Sequence, residues 1–585
     1  MCGIVGVFGK LDKEVVDKML PTLAHRGMDD EFSLSGQDYS MGAKRLSIID
    51  VSKSGRQPMT NEDGSIIVCQ NGEIYNYPEL MERLTNLGHQ FKSRCDTEVI
   101  VHMHEEYGDD FVKQLNGMFA IAIWDDKKKR GLLARDRMGE KPLYYLINKD
   151  CLYFASEIKA LLQLPCYSKS INLESLHHYL SYKHVPSPMT IFKGIWMLQP
   201  AHYLKYEIGQ WPRVGQYWQL DYGGNENLAE DEMVDELLRL LKQGIKRRLI
   251  SDVPVGIFLS GGVDSSLVTA IASELSSKPV ETFTLTYPSG TASVGKVQDK
   301  NNARMVAEMY GTNHHEKMVE VNSFTEVFPK IIKCFDQPFG GVISTFFLSK
   351  AMSQLKVGLT GDGADELFGN YLSHRMAASE VHTDKDWEWR SKLFVFGEDE
   401  KFNLYSSRTS GIMKQYDTVE HLRGYFNGLG NADPLNRMLG AEFKGIFPDQ
   451  VLEFSDKLSM AHTLELRVAY LDHEFVEFVA SISGDWKIRN GITKYILKKA
   501  AERYLPIELV NRSKEGFLLP ITEWFYKDLR GYVESMLSES ELSKHGYFNN
   551  DYVRELIDGF YNRAYDYRVG NKLLLLIAFQ VWYDL

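Results

Sequence analysis

Cysteine is scarce, with six in 585 residues, at positions 2, 69, 95, 151, 166 and 334. None makes a C-x-x-C pair, which excludes a disulfide scaffold and argues against a cysteine zinc site. Reduced thiols in a cytoplasmic protein are the expectation. Positive charge is in deficit as well: Lys+Arg 67 against Asp+Glu 79 gives −12. A broad basic surface for nucleic acid is therefore missing, and no nucleic-acid partner is expected. Long apolar runs are absent too. The opening MCGIVGVFGKLDKE has no basic n-region and no full hydrophobic region, and the run at 573–579 is far short of the ~20 residues of a spanning helix. Neither a secretory signal nor a membrane span is expected. No G-x-x-x-x-G-K-[ST] occurs, so a Walker A phosphate loop is excluded.

What remains is ordinary globular composition, 44% hydrophobic, 12% aromatic and 25% charged. The length suits two large domains or three to four smaller ones. Up to residue 205 the chain reads as short strands and turns: 4–8, 66–70, 118–124, 131–135 and 152–156 are apolar or alternating runs bounded by Gly, Asn and Asp. One helical pattern, 77–87, stops at Gly88. The charge run DDKKKR at 125–130 reads as a solvated hairpin connection. From 228 onward the period changes. Buried strands at 255–259, 282–287 and 357–360 alternate with helices, one starting near Ser265 and one at 302–310, with Ala303, Val306, Ala307 and Tyr310 on one face and Gly311 as the stop. That alternation predicts a parallel sheet covered by helices. Beyond about 400 the pattern is almost wholly helical. The polar segment around 211–227 marks the boundary, giving domains 2–211 and 228–585 joined by a linker 212–227.

Cys2 follows the initiator Met, which is generally removed before so small a residue. The result would be a thiol beside a free α-amine of pKa about 7.7–8.0, a matched base for it. Alone, Cys2 reads equally as a small core residue. Its context favours chemistry. Asn71 and Gly72 follow an apolar strand and could form an oxyanion hole. Arg45 suits an α-carboxylate, Glu73 and Asp96 suit an α-ammonium, and His25-Arg26-Gly27 completes the set. In the second half, Ser260-Gly261-Gly262-Val263-Asp264-Ser265 sits between a buried strand and a helix, where backbone N–H groups can hold a pyrophosphate and Asp264 can hold Mg²⁺. A second strand end supplies Thr360-Gly361-Asp362-Gly363-Ala364-Asp365; neighbouring parallel strands deliver such loops to one crevice, with Mg²⁺ at Asp365. Lys494 alone reads as a surface lysine.

MCGIVGVFG, HRGMDDE, RLSIID, NGEIYN, DTEV, NGMFAIAIWD, RDRMGEKPLYY and FASEIKAL resemble the class II glutamine amidotransferase domain. LSGGVDSS, TGDGADELFGNY, KLSMAHTLELRVAYLD and TKYILKKAAERYLP…NRSKEGFLLP resemble the synthetase domain of glutamine-hydrolysing asparagine synthetases, in the same order over nearly the whole chain. The resemblance implies an αββα N-terminal-nucleophile sandwich followed by a PP-loop parallel sheet with helices on both faces and a helical C-terminal extension. It also implies that Cys2 attacks glutamine, with Arg45, Asn71, Gly72, Glu73 and Asp96 binding it, and that Leu259, Ser260, Gly261, Gly262, Asp264, Ser265, Leu285, Thr360 and Gly361 serve ATP. Asp264 and Asp365 would hold Mg²⁺, Lys494 would stabilise charge on an acyl-adenylate, and Asp362 would act near the amine attack. A carboxylate, aspartate above all, would become an amide with release of AMP and pyrophosphate; a homodimer is compatible. The chain departs from the pattern at Met28 and Ala469, where Pro is usual, at a shortened stretch 336–350, and at an insertion in 288–300 with Asp299-Lys300. These altered loops keep open a different acceptor, such as a sugar uronate or a natural-product precursor. An inactive regulatory homologue is the remaining alternative.

Overall fold

The computed structural model describes residues 2–9, 14–223, 228–287, 294–319, 324–379, 386–512, 519–563 and 565–585. Residues 288–293 of the 288–300 insertion, the end of the expected linker at 224–227 and residues 513–518 of NRSKEGFLLP lie outside the described residues.

Two six-stranded antiparallel sheets form the first half. The first runs, edge to edge, Ile195–Met197, Tyr144–Asn148, Cys151–Ala155, Cys2–Phe8, Tyr39–Arg45 and Asp30–Ser35; the second runs Arg213–Gln216, His202–Glu207, Arg130–Arg135, Gly117–Asp125, Ile66–Ile74 and Met59–Thr60. Strand alternation explains the layering. Ile4, Phe8, Ala43 and Phe154 of one sheet meet Ile67, Cys69, Ala122, Trp124 and Leu133 of the other in a single inter-sheet core. Val5 and Val7, on the opposite face of Cys2–Phe8, pack with Val16, Leu20 and Leu23 from Glu14–Met19 and the 3₁₀ segment Leu20–Arg26. Val68 and Ile121 pack against Val99 and Met103 of the helix Asp96–Tyr107. The order is helix, sheet, sheet, helix, as expected.

The second half is built on a five-stranded all-parallel sheet, ordered Asn313–Met318, Glu281–Thr286, Val255–Phe258, Val357–Thr360 and Glu465–Val468. Ile257, Leu359 and Val468 enter one apolar cluster and Phe258, Phe283 and Leu466 another, so helices cover both faces. The C-terminal helix Tyr567–Asp584 joins the halves: Tyr179 donates its hydroxyl hydrogen to the Leu575 carbonyl at 2.8 Å, and the Phe192 and Trp582 rings meet edge-on at 5.7 Å.

Several expectations need correcting. Asn71, Gly72 and Glu73 do not follow their strand; it continues through them to Ile74. The segment expected as a linker begins as an edge strand, Arg213–Gln216, paired with His202–Glu207. The helical region beyond 400 is interrupted by the strand Glu465–Val468. Its sequence ELRV carries two charged side chains, so no apolar run marks it; the charges are buried because they pair with each other.

Candidate active site

Cys2 starts the central strand of the first sheet and pairs in register with Arg45. Its backbone N–H donates to Asn71 Oδ1 at 3.2 Å across the inter-sheet core. That bond orients the amide and leaves Asn71 Nδ2 buried without a partner. Gly72 has φ of 141°, and a Cβ there would lie 1.9 Å from the Met118 carbonyl oxygen, so only glycine fits beside Asn71. Burial pushes the Cys2 thiol upward. Gln57 Nε2 lies 3.8 Å from Sγ; its side chain is held by the Gln70 N–H at 2.6 Å and by Thr97 Oγ1 at 3.1 Å. Nothing in the sequence marks Gln57.

The expected glutamine contacts converge on the same core. Arg45 donates to the carbonyls of Asp50, Ser52 and Ile49 at 2.6, 2.9 and 3.2 Å, which fixes the plane of its fork. Asp96 accepts from the Ile74 N–H at 2.8 Å and Gln70 Nε2 at 3.2 Å, yet burial raises its carboxyl. Burial and the nearby Asp96 push Glu73 well above the carboxylate range. Two buried acids of this kind favour a cation between them.

The second constellation forms where two neighbouring strands of the parallel sheet end. Val255–Phe258 leads through Leu259, Ser260, Gly261 and Gly262 into the helix Val263–Leu275; Val357–Thr360 leads through Gly361–Gly363 into Ala364–Phe368. Gly261 has φ of 79°, and a Cβ would meet the Asp299 carbonyl oxygen at 2.1 Å. A Cβ on Gly361 would come within 3.0 Å of the Ser265 backbone nitrogen, so the two loops touch. Ser260 Oγ lies 3.0 Å from Ser265 Oγ. Lys494, only 2% exposed and held at φ of 55°, is no surface lysine. Its ammonium lies 2.8 Å from both Asp264 oxygens and also contacts Asp365. Two carboxylates from separate loops therefore already share one cation, the donor chemistry a Mg²⁺ site requires. Leu259 and Leu285 lie differently: their side chains are packed in the apolar clusters, so a nucleotide would meet their backbone. Asp362 accepts a hydrogen bond from Ser455 Oγ at 2.9 Å.

A polar chain links the two constellations. Arg26, fully buried, donates Nε to the Cys2 carbonyl at 3.3 Å, Nη1 to Glu157 at 2.8 Å, and both Nη groups to Asp456 at 2.9 and 3.0 Å. Asp456 adjoins Ser455 on the helix Glu453–Met460, and Ser455 holds Asp362. A second link is Arg467, 2.6 Å from Glu465 and 3.6 Å from Glu73. Sequence reasoning gave no role to Asp456, Ser455 or Arg467, because their partners Arg26, Asp362 and Glu73 lie far away along the chain.

Among the described residues, no helix is long and apolar enough to cross a membrane. Comparison with known proteins matches both halves. The asparagine synthase family model covers residues 236–584, and the glutamine amidotransferase domain model covers residues 1–218. Asparagine synthetase [glutamine-hydrolyzing] 1 of Bacillus subtilis is 30% identical over 100% of this chain and 97% of its own length. Asparagine synthetase [glutamine-hydrolyzing] 3 of the same organism is 30% identical over 95% and 93%. Amidase chry2 of Gibberella zeae is 25% identical over 94% and 92%. The chain belongs to the glutamine-hydrolysing asparagine synthetase family and is an ATP-using carbon–nitrogen ligase with glutamine as its nitrogen donor.

Proposed function

We propose that the protein amidates L-aspartate to asparagine. Cys2 is the glutaminase nucleophile, and its α-amine, exposed by loss of Met1, takes the thiol proton and returns it to departing ammonia. The Asn71 Nδ2 group and the Gly72 N–H stabilise the oxyanion. Arg45 holds the glutamine α-carboxylate, and Glu73 and Asp96 hold its ammonium. Water then hydrolyses the glutamyl thioester. This glutaminase unit is 2–211, the synthetase unit is 228–585, and the division falls within 212–227.

In the second unit, the acceptor carboxylate attacks the α-phosphorus of ATP and pyrophosphate leaves. Ser260, Gly261, Gly262, Ser265 and the N-terminus of the helix Val263–Leu275 bind the pyrophosphate oxygens; Thr360, Gly361 and the backbone of Leu259 and Leu285 frame the nucleotide. Asp264 and Asp365 would hold Mg²⁺, which neutralises phosphate charge when bound. Lys494 stabilises the acyl-adenylate. Ammonia attacks its carbonyl, Asp362 accepts a proton, and AMP departs. A cytoplasmic setting and a homodimeric assembly accompany this reading.

The observation that carries it is a single cavity of about 860 Å³ lined at once by Ser260, Gly262 and Asp264 from one loop and Thr360, Asp362 and Asp365 from the other. Basic groups Lys183 and Arg375 border the same cavity and supply positive charge for a dicarboxylate. A second reading, the same chemistry on another acid, draws on the apolar wall formed by Val342, Ile343, Leu348, Phe454 and Leu519 beside the shortened 336–350 stretch. A pyrophosphate-release screen over candidate acids, with ammonia as nitrogen source, separates the two. Aspartate should give the strongest release, with AMP as co-product. Silence with aspartate and release with another acid would select the second reading, and ADP with phosphate would overturn both.

A further inference from the structure

Away from both constellations, four side chains of the first half aim at one point. Glu62 lies in the turn after Met59–Thr60, His89 follows the helix Tyr77–Asn86, and His102 and Glu105 share one face of the helix Asp96–Tyr107 at i and i+3. One ligand atom from each lies within 4.8 Å of all the others. His89 Nδ1 stands 3.5 Å from Glu62 and 3.8 Å from Glu105, and His102 Nδ1 stands 3.6 Å from each. Those separations are too long for hydrogen bonds. They approach the edge of a tetrahedron with bonds of about 2.0–2.1 Å to a central Zn²⁺, which is about 3.3–3.4 Å.

His102 gives the second, independent observation. It is fully buried, and neither ring nitrogen has a hydrogen-bond partner. Leaving a buried polar group unpaired is destabilising, so an imidazole with both nitrogens unsatisfied calls for a ligand. The surrounding groups match what metal-bound imidazoles and carboxylates require. His89 Nε2 lies 3.0 Å from Glu106, on the side away from the convergence point. His102 Nε2 faces Glu98 at 3.9 Å. Asn61 Nδ2 donates to Glu105 at 2.9 Å, and the Gln90 N–H donates to Glu62 at 3.0 Å. Two neutral imidazoles and two carboxylates also balance a charge of +2.

We propose that Glu62, His89, His102 and Glu105 form a Zn²⁺ site in the glutaminase half. No cysteine takes part, so the cysteine spacing gave no sign of it. The site is structural: it ties two separate segments to the helix whose first turn carries Asp96, about 9 Å along the axis from His102 at 1.5 Å per residue.

The test uses the full-length protein, stripped with chelator, exchanged into excess Mg²⁺ and titrated with Zn²⁺ alone. The expected result is one Zn²⁺ per chain retained after dialysis, a raised thermal midpoint, and the visible bands of a tetrahedral centre when Co²⁺ replaces Zn²⁺. Glu62→Gln and His89→Gln alter partly exposed groups and avoid the buried imidazole; each should weaken binding by more than about 100-fold, beyond the 10–100-fold typical of outer groups. Asp264→Asn should retain the metal. No retained Zn²⁺, or retention unchanged in both E62Q and H89Q, would overturn the proposal.

Discussion

Asn71 illustrates how much one side chain decides. Its oxygen is occupied by the Cys2 N–H, so its buried amide hydrogens are left as donors for the reacting group. Asn71→Ala should lower glutamine-supported turnover by about 10²–10³, the cost of one oxyanion donor. Ammonia-supported synthesis should stay unchanged, and a parallel loss of both would contradict the assignment. Glu366 offers a different test. Burial and the adjacent Asp365 raise its carboxyl to about 8, and the Tyr371 hydroxyl donates to it at 2.6 Å. This environment favours the neutral carboxyl, so Glu366→Gln is close to isosteric and should cost less than about 1.4 kcal/mol, tenfold, in pyrophosphate release. Asp365→Asn removes a charge facing Lys494 and should be far more damaging. Asn71, Asp264 and Asp365 stood out in the sequence because each sits in a short run of candidate residues, and Cys2 because it follows the initiator Met. Arg26 was legible as a member of its run, but not as the buried bridge to Asp456.

The strand Glu465–Val468 is the element the sequence concealed. Apolar alternation marked the other central strands, but here two charges hold buried positions through mutual pairing. Burial opposes ionisation of Glu465, yet the positive charge around it, Arg467 included, holds the carboxyl below its usual range. The helices were easier to see: Gly88 and Gly311 end theirs with φ of 104° and 61°, as stop residues should. Arg467→Lys keeps the charge but loses the rigid fork that also reaches the Arg248 and Ile250 carbonyls at 2.8 and 2.7 Å. It should raise the KM for glutamine, through Glu73, more than it changes kcat with ammonia. A change in ammonia-supported turnover with the KM for glutamine unchanged would contradict that link.

At the scale of the whole molecule, the halves share one apolar core. Leu176 and Tyr179 of the first pack with Leu573 and Leu576 of the C-terminal helix. Leu576→Ala should cost about 2–5 kcal/mol and lower glutaminase and synthetase thermal midpoints together; separate transitions would contradict a shared core. Acid should act similarly. Burial disfavours the Glu442 charge, but His374 at 2.9 Å and Arg390 at 3.0 Å hold it down to about 2, against an ordinary 4.5. A carboxyl depressed on folding stabilises above its unfolded pKa, and that contribution is lost as pH falls from about 4.5 through 2. Glu442→Gln should therefore flatten the loss of thermal midpoint across that interval.

Nitrogen transfer within one chain, from Cys2 to the carboxylate activated beside Asp362, is the central proposal. Glutamine labelled with ¹⁵N in its side-chain amide, supplied with ATP, acceptor and a modest excess of unlabelled ammonium, tests it. The amide product should carry mostly the glutamine label and form one for one with AMP. Label diluted to the ratio of the bulk ammonium pool would contradict it.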